Sequence, residues 1–328
     1  MRTRPTDLDD HELTAALRQE WDADIGADAL EYVAIGGGTH HWRAGRFWLG
    51  VDDLDEKPFL GASRSEVFAN LRSRLEVART VRDSGLDFVV APLDSRTCDV
   101  LVSVSARYAL AVYRFLPGTT YRFAEPLPVS EREELLDLLV RLHQATPLPA
   151  HLAREVPIGL ARRQDFEDAL RHVHEPWCSG PFAESARGIL AQRLAQVQEL
   201  FDAFDALVRE VTAVGATLVL THGEPHPANL MALDGSLKLL DWDTVGLALP
   251  ERDLWWLAKD RATDMRTYQH HTKRRVDARA IALYRVRWQL DDLIWCITAL
   301  RAPHTDTVDT RLALASLSKC AEVPAWMS

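Results

Sequence analysis

Cysteine is scarce in this 328-residue chain and never paired in sequence. Cys98, Cys178, Cys296 and Cys320 lie far apart with no CxxC, so neither a zinc knuckle nor a dithiol redox pair is indicated. Reduced, mostly buried thiols are expected, which suits the cytosol. No apolar run approaches the roughly 18 residues of a membrane span. Residues 1–13 are polar and acidic where a signal peptide needs an apolar core. A basic excess is missing too: 38 Lys and Arg face 48 Asp and Glu, a net charge of −10. That argues against a nucleic-acid binder and for a cationic small-molecule partner. Internal repeats, low-complexity tracts, GxGxxG and Walker A motifs are all absent. The expectation is a cytoplasmic protein free of membrane and nucleic acid, a monomer or weak dimer. Its length favours two lobes.

Short apolar runs dominate the first part. Residues 9–21 read as an amphipathic helix. Strands are expected at 32–35, 41–44, 46–51, 88–91, 101–104 and 110–115. A helix over 65–84 carries Val67, Leu71, Leu75, Ala78 and Val81 at helical spacing. Leu116-Pro117-Gly118 breaks this pattern and sets a boundary between lobes 1–115 and 116–328. Beyond it helices are expected at 131–145, with Ser130 as cap and Glu133 at the capping-box position, then at 165–174, 185–211, 251–259 and 277–300. The fold class is α+β: an antiparallel-sheet N-terminal lobe with one helix, then a mainly helical C-terminal lobe.

The stretch 220–243, LTHGEPHPANLMALDGSLKLLDWD, interrupts those helices. An apolar run at 216–220 leads into the polar loop 222–229. An Asp-Gly turn and a second apolar run follow, ending in Asp241-Trp242-Asp243. Glu224, Asn229 and Asp241 thus stand at the ends of short strands. Phosphoryl transfer to an alcohol needs a carboxylate to position the hydroxyl, and oxygen ligands for magnesium. This set can supply both. Two other chemistries fit less well. His222-x-Glu224-x-His226 could be a metal triplet, but Pro225 and Pro227 exclude the helix of a zinc hydrolase and no PCxxC follows. Asp241-x-Asp243 as a nucleotide-sugar motif leaves the Glu224 loop unexplained.

His222-x-Glu224-x4-Asn229 with Asp241-Trp242-Asp243, followed by Pro250-Glu251-Arg252-Asp253-Leu254, resembles the catalytic signature of the aminoglycoside phosphotransferase family. The wording is most similar to its spectinomycin 9-phosphotransferase branch. The resemblance implies a bilobal protein-kinase-like fold and an ATP- (or GTP-) dependent phosphotransferase with Mg2+. The implied acceptor is a hydroxyl of an aminocyclitol or aminoglycoside, spectinomycin first, and the implied outcome is resistance. It also implies roles: Glu224 at the catalytic Asp position, His222 ordering the loop, Asn229 and Asp241 as metal ligands, and Asp253 tying the loop to the next helix. Asp243, Trp288, Asp291 and Asp292 become candidates for the cationic substrate. A metabolite kinase for choline, homoserine or a methylthio-sugar is the alternative within this chemistry. A nucleotide-binding pseudokinase is the alternative outside it.

Two departures stand out. Glu224 is one methylene longer than the family's Asp. The third strand, Phe47-Trp48-Leu49-Gly50-Val51, lacks the lysine that pairs with nucleotide phosphates. The first lysine is Lys57, beyond an acidic turn. Lys57 folding back, Arg43, Arg46 or His41 taking over, or reliance on metal and backbone all remain open. Glu66 and Glu76 are candidate partners for such a lysine. Gly36-Gly37-Gly38-Thr39-His40 could cover phosphates with backbone amides. Tyr113 and Phe115 stand where a kinase hinge would bond adenine.

Overall fold

The computed structural model describes all residues except 24, 27, 28, 146, 147, 153, 214, 216, 260, 261 and 323–328. Ala216, the start of the run leading into the catalytic stretch, therefore lies outside the described residues. The chain divides into two compact units, each built from two segments: Met1–Pro157 with Thr217–Val276, and Ile158–Ala216 with Asp277–Ser328.

The first unit begins with α1 (Asp10–Trp21), started by a capping box in which Asp9 and Glu12 satisfy each other's backbone amides. β1 (Leu30–Val33), β2 (Thr39–Ala44) and β3 (Phe47–Asp53) form an antiparallel meander. α2 (Arg64–Asp83) crosses over before β4 (Val102–Ser103) and β5 (Tyr108–Arg114), giving the strand order β1-β2-β3-β5-β4. The run Tyr-Ala-Leu-Ala-Val in β5 is apolar throughout because both faces are covered. Tyr108, Leu110 and Val112 join Leu49, Val51 and Trp42 against Leu13 and Leu17 of α1. Ala109 and Ala111 face Val67, Leu71 and Leu75 of α2. Their small side chains let the helix approach the sheet closely.

β6 (Thr119–Thr120) and α3 (Val129–His143) follow. The chain then enters the second unit with α4 (Arg163–Arg171), α5 (Ala183–Gln192) and α6 (Leu194–Thr212). It returns with β7 (Val219–Thr221), β8 (Leu230–Leu233), β9 (Ser236–Leu239) and β10 (Gly246–Ala248). β8 and β9 form a hairpin whose Asp234-Gly235 turn has φ of 51° and 77°, the two left-handed residues that a tight hairpin turn requires. β6 pairs with β8, and β7 with β10. The single turn α7 (Glu251–Leu254) and α8 (Ala262–Thr272) close the first unit. α9 (Ala278–Arg301) and α10 (Val308–Cys320) complete the second. Among the described residues no helix is long and apolar enough to cross a membrane.

The α+β class holds: an antiparallel sheet with one crossover helix precedes residue 115, and helices dominate after it. Several local expectations need correction. Ser130 lies inside α3, whose N-cap is Pro128 with no side-chain cap bond. The strand expected at 88–91 reduces to one bridge, Val89 to Leu239. The helix expected over 185–211 is two helices, divided at Arg193. Within the stretch 220–243, β8 pairs with β9 but β7 pairs with β10, so its apolar runs belong to two separate ladders. The helix expected at 251–259 is a single α-turn followed by a 3-10 turn at Leu257–Lys259.

Candidate active site

The loop after β7 is held by its backbone. Asp253, fully buried on α7, accepts from the amides of His222 (2.8 Å) and Gly223 (2.6 Å). Burial alone would raise its carboxyl, but the bond from His143 and the nearby charges hold it below the usual carboxylate range. His143 Nε2 donates to Asp253 (3.0 Å), and its Nδ1 is hydrogen-bonded to the Tyr268 hydroxyl at 2.8 Å. Gly223 is required twice over. Its φ is +103°, and a Cβ there would collide with the Arg252 guanidinium. That guanidinium in turn donates to the Thr221 hydroxyl and the Thr244 carbonyl, both at 2.9 Å.

His222 orients the next residue. Its Nε2 donates to the Leu240 carbonyl (2.8 Å), leaving Nδ1 to accept from the Glu224 amide (3.2 Å). Only a neutral ring can do both. Burial, the largest influence, pushes its pKa down to about 4. The Glu224 carboxylate is half-exposed beyond this anchored backbone, with its Oε2 3.9 Å from His226 Nε2. Pro227–Asn229 forms a 3-10 turn that brings Asn229 back to Glu224. The Asn229 amide nitrogen donates to the Glu224 carbonyl (2.9 Å), which turns its oxygen away from that contact.

Asp241 and Asp243 follow β9, with Trp242 buried between them beneath His222. Asp241 takes a left-handed conformation (φ 59°), and its side chain opens to solvent. The surrounding protein, then the Asp243 and Glu224 carboxylates, push its carboxyl well up, against the Lys57 ammonium. Asp243 does the opposite: burial would raise it, but Lys57 and Arg74 hold it down.

Lys57 is the residue that sequence reasoning left unplaced. The 3-10 turn Leu54–Glu56, capped by Asp53, carries it back beneath the sheet. It is 2% exposed, with Nζ 2.9 Å from Asp52 and 2.5 Å from Asp243. Burial would depress its ammonium, but those two carboxylates and Asp241 hold it well above its ordinary value. Gly38, in the β1–β2 turn, lies directly over it: a Cβ on Gly38 would sit 4.0 Å from Nζ. The Thr39 hydroxyl donates to Asp52 (2.7 Å) and ties the turn to the same cluster.

The other candidates fall elsewhere. Arg43 lies over Phe115 at 4.3 Å, Arg46 over Phe47 at 5.0 Å, and His41 stacks on Trp48 at 5.3 Å. None of them replaces Lys57. Glu66 caps α2 through the amides of Ala62 and Ser63, and Glu76 pairs with Arg72. Neither meets the lysine. α2 contributes Arg74 instead, which donates to the Asp243 carbonyl at 2.8 Å. His40 turns inward, 3% exposed, against Tyr32, Trp42 and Tyr108. The Phe115 amide donates to the Arg46 carbonyl (2.8 Å). The half-buried Tyr113 phenol is pushed up by burial and by the negative charge of Asp52, Asp241 and Asp243. Trp288, Asp291 and Asp292 belong to α9 of the second unit, where Asp291 lies 3.4 Å from Arg287. Burial and then Asp291 push Asp292 up to about 7, with Trp288 bonded to it.

A carboxylate on a rigid loop, an amide oxygen, two further aspartates and one buried ammonium under a glycine turn now stand together. The family model described as the phosphotransferase enzyme family matches residues 50–309, which include the second half of β3, Lys57 and the whole 220–254 stretch. The chain belongs to this family. It is a phosphotransferase acting on hydroxyl groups of small molecules. A search of curated protein sequences finds no match. Among solved structures the phosphotransferase is similar to spectinomycin phosphotransferase in complex with ADP and spectinomycin. The TM-score is 0.72 at 15% identity, covering 94% of this chain and 93% of that one. It is also similar to a microcompartment-associated aminopropanol kinase, with TM-score 0.57, 16% identity, and 95% of each chain covered. A third is choline kinase from Streptococcus pneumoniae, with TM-score 0.50, 17% identity, and 90% and 95% covered.

Proposed function

We propose that this phosphotransferase transfers the γ-phosphoryl group of ATP (GTP is the other candidate) to a hydroxyl of a cationic aminocyclitol or aminoglycoside, spectinomycin foremost, and so confers resistance. The observation that carries the reading is the meeting of Lys57, Asp241, Asp243 and the Glu224 loop beneath the Gly38 turn. Residues 1–115 form the nucleotide lobe and residues 116–328 the helical lobe with the catalytic loop.

In this reading the backbone of residues 36–40 covers the phosphates, and Lys57 neutralises their oxygens. Tyr113 and Phe115 border the adenine. Asn229 and Asp241 suit a magnesium ion. Asn229 has its nitrogen tied back and its oxygen turned away, while Asp241 is an open carboxylate whose proton affinity is raised by carboxylates that a cation would offset. When bound, magnesium supplies charge neutralisation on the phosphate oxygens. Glu224 accepts a hydrogen bond from the acceptor hydroxyl and takes its proton as the oxygen bonds to the γ-phosphorus. The bond from that phosphorus to the β–γ bridging oxygen breaks, and ADP leaves with the electron pair. The loose transition state asks little of the base beyond position. His222, Asp253 and Asn229 supply that position. Asp243, besides holding Lys57, adds negative charge that suits an ammonium-bearing acceptor.

The test is a phosphotransfer screen read by mass, with ATP and Mg2+, over aminocyclitols, aminoglycosides and amino alcohols. Transfer to an aminocyclitol, lost in Glu224→Gln, is the expected result. Transfer only to a metabolite alcohol overturns the acceptor assignment. Equal transfer by Glu224→Gln overturns the role of Glu224.

A further inference from the structure

Beside Glu224 lies a group of aromatic rings that the transfer step does not use. Phe123 follows β6, which is held against β8, and it is 46% exposed despite its apolar ring. Its centroid is 4.9 Å from the His226 ring, edge-on, and 5.4 Å from Trp256. His226 and Trp256 are 6.1 Å apart, and Trp255 stands edge-on to Trp256 at 5.3 Å. Three separate segments thus converge: the turn after β6, the catalytic loop and the chain after α7. The close approach of the first is set at Gly118, where a Cβ would collide with the Met231 side chain of β8. His226 also links the rings to the chemistry, since its Nε2 is 3.9 Å from the Glu224 carboxylate.

We propose that Phe123 and Trp256, backed by His226, form the acceptor shelf, and that it takes an N-alkylated ammonium group of the acceptor while the hydroxyl lies at Glu224. The proposal rests on the reading of Glu224 as the group that receives the hydroxyl. An acceptor whose hydroxyl meets that carboxylate lies beside His226, and so within reach of the rings packed on it at 4.9 and 6.1 Å. Ring faces attract cations that have shed part of their water, and alkylated ammonium groups shed it most easily. The carboxylates of Glu224 and Asp241 supply long-range attraction for the same charge. A neutral alcohol would meet the apolar surface but gain nothing from the ring quadrupoles. The shelf therefore selects for cationic, alkylated amines, whereas carboxylates alone would favour any ammonium group.

Tetramethylammonium ion, which has no hydroxyl, is the probe, with tert-butanol as its neutral counterpart of similar shape. Binding to the full chain is followed by saturation-transfer NMR. Tetramethylammonium is expected to bind about ten-fold more tightly than tert-butanol, and to lose about that factor in Phe123→Ala. Phe123→Leu, which keeps apolar area without a ring face, is expected to lose as much. Phe123 is half in water, so both variants should keep the melting temperature of the parent. Equal binding of the two probes, unchanged binding in Phe123→Ala, or full recovery in Phe123→Leu overturns the shelf. Because the probe cannot be phosphorylated, tetramethylammonium binding without transfer to any aminocyclitol overturns the acceptor assignment and leaves the shelf standing.

Discussion

At the scale of single residues the centre of the site is Lys57. A buried ammonium is tolerated only with close opposite charge. Asp52 and Asp243 provide it at 2.9 and 2.5 Å. Lys57→Ala should leave the buried Asp52 carboxylate uncompensated and Asp243 with only Arg74 nearby, and lower stability by about 3 kcal/mol, measurable by denaturant unfolding. Lys57→Arg should be the milder change in stability but should still raise the nucleotide KM, because a planar fork does not replace a compact charge. Glu224 carries a second prediction. Glu224→Asp withdraws the carboxylate by roughly an ångström, and should cost about ten- to hundred-fold in kcat. Glu224→Gln, which cannot take the proton, should lose more, on the order of a hundred-fold to ten-thousand-fold. If Glu224→Asp exceeds the parent, the glutamate is not adapted to this loop. Single-turnover kinetics with a saturating acceptor separates the cases.

At the scale of elements the catalytic loop is a short backbone segment clamped by side chains from α3, α7 and α8. Asp253→Ala strands the amides of His222 and Gly223 and leaves His143 without its acceptor. Each buried unpaired donor costs about 1–3 kcal/mol, so a large loss of melting temperature is expected. Gly223→Ala combines positive-φ strain with a collision against Arg252 and should match it, read in the same melting experiment. Much of this architecture was legible in the sequence. The β5 run and the α2 stripe announce the two-faced sheet, and the Asp-Gly pair announces the β8–β9 turn. Glu224, Asn229 and Asp241 were legible because polar residues stood in order between apolar runs. Lys57 was not, because it lies past its strand in an acidic turn, and only the 3-10 geometry at Leu54–Glu56 returns it. Ser130 resembled a cap, but the N-cap of α3 is Pro128, two residues earlier. The division of α5 from α6 at Arg193 has no glycine or proline to mark it, and the three residues of β10 are too few to show a period. α8 and α10 went unread in the same way: α10 buries only Ala313 and Leu317, too sparse an apolar stripe to declare a helix.

At the scale of the whole molecule, acid should be the weak point. His222 and His226 are buried and His41 is half-buried; all three are neutral, with pKa values pushed down mainly by desolvation to about 4, 4 and 3. In the unfolded chain each titrates near 6.5. Above that value neither state binds the protons, and stability is at its full level. As pH falls from about 6.5 to about 4, these three rings take up close to three protons on unfolding and lower stability, an uptake that Asp292 and Asp241, whose carboxyls are pushed up in the folded protein, partly offset. Below that window His222 and His226 add no further slope. Unfolding free energies between pH 7 and 4.5 should show this uptake, and His41→Phe should reduce it by one proton. A flat profile would mean that these rings are charged in the folded protein.

The pairing of Lys57 with Asp243 spans 186 positions of sequence. The first unit also leaves off at Pro157 and resumes at Thr217. During synthesis, then, the sheet emerges from the ribosome long before the aspartate that its lysine needs. Until β9 and the residues after it arrive, the ammonium has Asp52 alone for company, and Leu239 is not yet present to bridge to Val89. The sheet-rich portion should therefore remain loosely packed on the ribosome. It should tighten in one late step once residues beyond 243 are exposed, as distant contacts close slowly. Nascent chains arrested before and after that point should differ sharply in their resistance to protease.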